Sequence, residues 1–119
     1  MQQPDEPIYE PFAITVTRDR DEVAVVPVGE IDLASADTLA QEVGGLRAAD
    51  PTRIVLDLRR VSFIDSTGLR LLISLRNDAK RNRHALVLIP PSPAVGRIFD
   101  FTGTRGLFDW RTSRPAQPA

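Results

Sequence analysis

The chain has 119 residues, with 16 Asp and Glu against 15 Lys and Arg and a formal net charge of −1. It is sized for one domain and carries no charge excess that would attract nucleic acid or an anionic membrane. It has no cysteine, which excludes a disulfide framework, thiolate chemistry and a Cys-ligated metal. No apolar run approaches the roughly 18–20 residues that span a bilayer. The acidic start, Met1 to Pro7, lacks the basic and apolar regions of a signal peptide. A cytoplasmic protein without membrane attachment is the expectation.

Residues 1–11, with three prolines and three acidic residues, read as a disordered arm. Phe12 to Thr17 alternates apolar and polar residues, the period of a strand. Arg18 to Glu22 reads as a polar turn, and Val23 to Val28 as a second strand that closes a hairpin. Pro27 argues for an edge position or a strand end. Ser35 has the character of a helix N-cap, with Asp37 in the first turn and Leu39, Val43, Leu46 and Arg47 at helical spacing. Gly44 and Gly45 weaken the last turn, and Asp50-Pro51 breaks it.

Ile54 to Leu58 is a buried-type strand. A short connection, Arg59 to Ile64, leads to Asp65, Ser66, Thr67 and Gly68, which open a helix running from Leu69 to about Arg83. Leu69, Leu72, Ile73 and Ala79 form its apolar face, widened by Leu71 and Leu75. Ala85 to Ile89 is another apolar strand. Ser92-Pro93 starts a third helix with Val95, Ile98 and Phe99 inward and Gly103 as its cap. Leu107 to Trp110 reads as a last short strand, and Thr112 to Ala119 as a disordered, proline-containing tail. Strands alternating with helices after an opening hairpin predict an α/β fold with a mixed, mostly parallel sheet.

The chemistry concentrates around Ser66. A hydroxyl at a helix N-terminus faces free backbone N–H groups and the positive end of the helix dipole, a place where a phosphate can sit. The plain structural alternative is that Asp65, Ser66 and Thr67 only cap the helix. A serine hydrolase needs a base, and the one histidine, His84, follows the far end of that helix; the Gly-x-Ser-x-Gly elbow is absent. Asp57 as an aspartyl phosphoacceptor lacks an acidic metal-binding pair after an early strand. Asp32 and Asp65 each follow a parallel-type strand, and in such sheets the carboxyl ends gather at one edge, where ligands bind. There is no glycine-rich phosphate loop and no metal-ligand cluster, so no cofactor or metal is expected.

Three blocks carry a resemblance: Val28 to Asp32 (Val-Gly-Glu-Ile-Asp), Ile54 to Leu58 continuing through Phe63 to Leu69 (Phe-Ile-Asp-Ser-Thr-Gly-Leu), and Pro93 to Phe99 with Thr102-Gly103. In this order and spacing they resemble the STAS domain, the family of sulfate transporters and anti-sigma factor antagonists, over about residues 12–111, and most closely its small freestanding bacterial antagonists. The resemblance implies the STAS fold, a mixed sheet with helices packed on it, and a binding protein rather than an enzyme. It implies an anti-sigma factor with serine-kinase activity as partner, release of a sigma factor on binding, phosphorylation at Ser66 that ends binding, and a phosphatase that restores it. Asp32, Asp65, Thr67, Gly68 and Leu71 are the expected partner-binding residues. Two alternatives stand beside it: a STAS interaction module of another regulatory or transport assembly, and a small nucleotide-binding domain. Many members carry a further helix after the last strand, for which Thr112 to Ala119 is poorly suited.

Overall fold

The computed structural model describes residues 11–111. The expected arm, apart from Pro11, and the expected tail lie outside the described residues. The elements run β1 (Ala13–Asp19), β2 (Glu22–Ile31), α1 (Ala36–Gly45), a 3₁₀ turn (Leu46–Ala49), β3 (Arg53–Asp57), β4 (Val61–Ile64), α2 (Ser66–Arg81), β5 (Ala85–Ile89), α3 (Pro93–Thr102), a second 3₁₀ turn (Arg105–Leu107) and β6 (Asp109–Trp110). The sheet order is β1-β2-β3-β5-β6, with β4 also paired to β2. Among the described residues only β1 and β2 pair antiparallel; the other pairings are parallel. The fold is therefore the mixed, mostly parallel α/β sheet with an opening hairpin.

The strand β2 organises the sheet. Val23, Val25, Pro27, Gly29 and Ile31 alternate inward and are buried, while Ala24, Val26 and Val28 are half-buried on the other face. Its first half, Glu22 to Val25, pairs with β3, and its last residues, Gly29 to Ile31, pair with β4 on a separate ladder. Pro27 falls between the two ladders. The expectation that Pro27 marks an edge or a strand end is therefore wrong. A central strand tolerates proline where no neighbour requires its N–H, and the hand-over from β3 to β4 supplies that place. Gly29, at φ 109°, sits at the register shift beside β4, where a side chain would be strained.

The stretch expected as a plain connection, Arg59 to Ile64, contains β4. The turn into it is tied by Asp57, which is buried and takes a bidentate contact from Arg59. Oδ1 accepts from the Arg59 backbone N–H and Nε at 3.0 Å, and Oδ2 accepts from Nη2 at 2.7 Å. Hydrogen bonding to Asp57 raises the Arg59 pKa above its ordinary value. Asp57 is thus a turn clamp, which leaves a phosphoacceptor role without a free carboxylate edge.

One core cluster unites the elements, with Leu39 and Val43 of α1, Leu69, Leu72 and Leu75 of α2, Ile54 and Leu56 of β3, and Phe99 of α3. Phe99 meets Phe108 and Trp110 edge-on, at centroid distances of 5.7 and 5.1 Å, which closes the core where β6 ends the sheet. The third helix starts as read: Ser92 Oγ accepts from Val95 N–H, Pro93 is its first residue, and Gly103 caps its end.

Candidate functional site at the ends of two paired strands

Strand β4 brings the site together. Ile31 pairs with Ile64, so Asp32 and Asp65 follow neighbouring strand ends. The Asp65 N–H donates to the Ile31 carbonyl at 3.4 Å. Asp65 is the N-cap of α2, and its Oδ1 accepts from Gly68 N–H at 2.9 Å, satisfying one of the free donors of the first turn. A Cβ on Gly68 would overlap the Ile31 carbonyl oxygen and stand 3.0 Å from Ile31 Cγ2. Glycine is required there because the first turn of α2 rests directly on the end of β2.

This packing leaves Ser66 outside. It is the first residue of α2 and is exposed, whereas Thr67 is half-buried and Gly68 and Leu69 are buried. Arg70, one turn further on, is also exposed. His84 follows the C-terminal end of the 16-residue α2, so a helix length of about 24 Å separates it from Ser66. His84 is therefore not placed to act as an imidazole base for Ser66. Among the described residues, no group of three His, Asp or Glu side chains is placed to hold a metal.

Asp32 sits in a different setting from Asp65. Its Oδ1 accepts from Ala34 N–H at 3.0 Å and Ser35 N–H at 3.2 Å. Ser35, buried, donates from Oγ to the Glu30 carbonyl at 2.6 Å and accepts from Asp32 N–H at 3.0 Å. Ser35 is the N-cap residue of α1, as the sequence suggests. Ser35 occupies the N-cap position of α1 without a capping hydrogen bond of its own, because its hydroxyl ties the turn back to β2. Leu71 is half-buried and lines a small cavity of about 80 Å³ between α1 and α2, with Val43, Leu75 and His84. Five residues after Ser66, it points about 140° around the helix from it.

Two exposed apolar residues at this edge went unnoticed in the sequence. Leu33, directly after Asp32, is 79% exposed, and Phe63 of β4 is 47% exposed. Leu33 carries a readable signal, a large aliphatic residue in a turn otherwise made of Asp, Ala and Ser. An open groove of about 670 Å³ is lined by Asp32 together with Phe12, Glu30, Thr38, Arg60 and Ser62 among others; Ser66 is not part of it.

In sequence and fold the chain is similar to known proteins. The anti-sigma-B factor antagonist of Staphylococcus epidermidis is 31% identical over 93 residues, which is 78% of this chain and 85% of that protein. The anti-sigma-F factor antagonist RsfB of Mycobacterium tuberculosis is 45% identical over 64 residues, about half of each chain at 52%. The crystal structure of an anti-sigma factor antagonist from Mycobacterium paratuberculosis superposes with a TM-score of 0.76 at 25% identity, covering 96% of this chain and 92% of that one. The sequence pattern of the STAS domain matches residues 13–115. The chain belongs to the STAS domain family.

Proposed function

We propose that this protein is an anti-sigma factor antagonist. It binds an anti-sigma factor through the edge formed by the ends of β2 and β4 and the first turn of α2, and thereby frees a sigma factor. The partner is a serine kinase that phosphorylates Ser66 and so ends the binding, and a phosphatase reverses the mark. The protein itself acts by binding and not by catalysis. The observation that carries this reading is Ser66, exposed at the first position of a helix whose second and third turns are locked into the core by Leu69, Leu72 and Leu75. Such a hydroxyl is accessible to a kinase and can gain charge without disturbing packing. The named function of the relatives supports it.

The test uses Ser66→Ala as bait to isolate the anti-sigma factor from the source organism, followed by calorimetry with the purified partner. Ser66→Ala should bind persistently, while Ser66→Asp and Ser66→Glu should keep the native circular dichroism and lose binding. Incubation of wild type with the partner and ATP should place one phosphate on Ser66. A dominant phosphate on Thr67, or acidic variants that bind as tightly as wild type, would overturn the assignment.

A further inference from the structure

We infer that the cavity between α1 and α2 is a binding site for a small amphipathic anion, a carboxylate with a tail of about three carbons. Such a site is independent of the function proposed above. Its floor is Ile54, at the start of β3, whereas Ser66 follows the end of β4. Because β2 runs parallel to both strands, the cavity and Ser66 lie at opposite ends of the sheet. The walls are apolar and belong to the core. Val43 comes from α1, and Leu71 and Leu75 from α2; Val43, Ile54 and Leu75 are buried. The space is about 80 Å³. An apolar cavity of about 150 Å³ takes the six carbons of benzene, so this one suits about three. Gly44 of α1 also lines it and is exposed. A Cβ on Gly44 would meet no atom within 4 Å, and its φ is not positive. Neither crowding nor backbone conformation calls for glycine there, and helices disfavour it. The missing side chain leaves the cavity open to solvent.

The head group follows from the charges around this slot. Three ionisable side chains line it: Arg47, Asp78 and His84. Asp78 is already paired with Arg81. Among the described residues, neither the Arg47 guanidinium nor the His84 imidazole takes part in a hydrogen bond or ion pair. What remains for a ligand is one free cation and one free imidazole beside an apolar recess. A guanidinium presents its N–H donors as a fork that matches a carboxylate, and an imidazole N–H can donate to the same group. The two come from different elements. Arg47 belongs to the 3₁₀ turn after α1, and His84 follows α2, where its backbone N–H donates to Ala79 O at 3.1 Å. An apolar body with a few polar groups at its rim is the usual make-up of a small-molecule site. A cationic head would be repelled by Arg47, and a bare hydrocarbon would leave both polar groups unused.

The probe is butyrate, titrated into isotope-labelled protein at neutral pH and constant ionic strength and followed by amide NMR, with acetate, 1-butanol and butylammonium as comparisons. Butyrate should give saturable shifts centred on Val43, Arg47, Ile54, Leu71 and His84, with a dissociation constant of about 1 mM, within reach of a ligand of about six non-hydrogen atoms. Acetate has the head without the tail and 1-butanol the tail without the charge; each should bind at least about tenfold more weakly. Butylammonium should not bind. Arg47→Gln, a change at an exposed position, should keep the wild-type melting temperature and weaken butyrate about tenfold, with His84→Ala weaker by a smaller factor. Gly44→Leu fills the cavity and should abolish binding while melting no lower than wild type. Ser66→Ala should bind butyrate as wild type does. Absence of saturable shifts up to about 50 mM butyrate, some fifty times the expected constant, would refute the site. Equal binding of acetate or butylammonium would refute the ligand class. If folded Arg47→Gln binds as tightly as wild type, the head group is misassigned and the inference fails; should Gly44→Leu not fold, Arg47→Gln decides alone.

Discussion

Gly68→Ala separates two opposed expectations. Helix propensity alone makes alanine better than glycine inside a helix by about 1 kcal/mol. The contact with β2 says the reverse. The added Cβ would overlap the Ile31 carbonyl oxygen, with Ile31 Cγ2 at 3.0 Å and the carbonyl carbon at 3.1 Å. Ordinary contact for carbon begins near about 3.5 Å, so α2 and the end of β2 would have to part by roughly 1 Å. The obstacle is backbone of a central strand, itself held by the Asp65 N–H and by pairing to β4, and cannot turn aside as a flexible side chain can. Overpacking of this kind costs about 1–3 kcal/mol, and the rigid obstacle places this case at the upper end. After the propensity gain, a net loss of about 1–2 kcal/mol remains, equivalent to a melting temperature lower by about 5–15 °C for a domain of this size. Thermal unfolding followed by circular dichroism, with urea titration for the free energy, measures it. An alanine variant as stable as wild type, or more stable, would refute the close-approach argument.

Asp65→Ala removes the acceptor for Gly68 N–H and should cost about 1 kcal/mol in urea titration, most of it recovered by Asp65→Asn, which still caps; equal stability of all three proteins would contradict the capping role. The Arg111 guanidinium hydrogen-bonded to Glu22 at 3.2 Å, with Arg53 beside it, holds the Glu22 carboxyl below its ordinary value. A depressed folded-state pKa stabilises above the unfolded-state value and is lost as pH falls through the folded one. Glu22→Gln should therefore lower stability at pH 7 by about 0.2–1 kcal/mol, with the gap closing on acidification; a gap that persists unchanged at acid pH would contradict it.

Much of the architecture was readable because the helices and buried strands carry strong patterns. Val23 to Val28, Ile54 to Leu58 and Ala85 to Ile89 are runs that only a covered sheet accepts, and Ser92-Pro93 with Gly103 brackets α3 by local chemistry alone. The strand β4 was hidden for a physical reason. It has four residues, its middle pair Ser62 and Phe63 is exposed, and Arg59-Arg60 before it reads as surface. What makes it a strand is the free half of β2, a long-range fact. Pro27 was misread for the same cause, since the gap between ladders exists only once β3 and β4 have both been placed. Ser66 was legible from its position after Asp65 at a helix start. The turn that Asp32 and Ser35 tie was not, because it depends on which oxygen each N–H finds.

On the proposed reading, the switch has to act at the interface and not through the fold, because a phosphate on Ser66 has little to break. Ser66 is exposed, and the cap of α2 is the Asp65 to Gly68 bond. The helix is held on the core from Gly68 onward, two residues beyond Ser66. The phosphate adds about −1.5 to −2 charges at neutral pH. The helix N-terminus offsets this by roughly 0.3–1 kcal/mol, and Asp65 opposes it across a solvated surface where screening is strong. The free phosphoprotein should therefore melt within a few degrees of the unmodified form. In the complex the same charge must lose its water beside Asp65, and an unpaired charge buried at an interface costs on the order of 2–5 kcal/mol, or about 30- to 4,000-fold in affinity. Calorimetry and melting curves on the purified phosphoprotein and its unmodified parent read both quantities. A loss of partner affinity accompanied by a fall of more than about 10 °C in melting temperature would show that the mark acts by unfolding the edge, and would refute a switch that works by charge at a preserved surface.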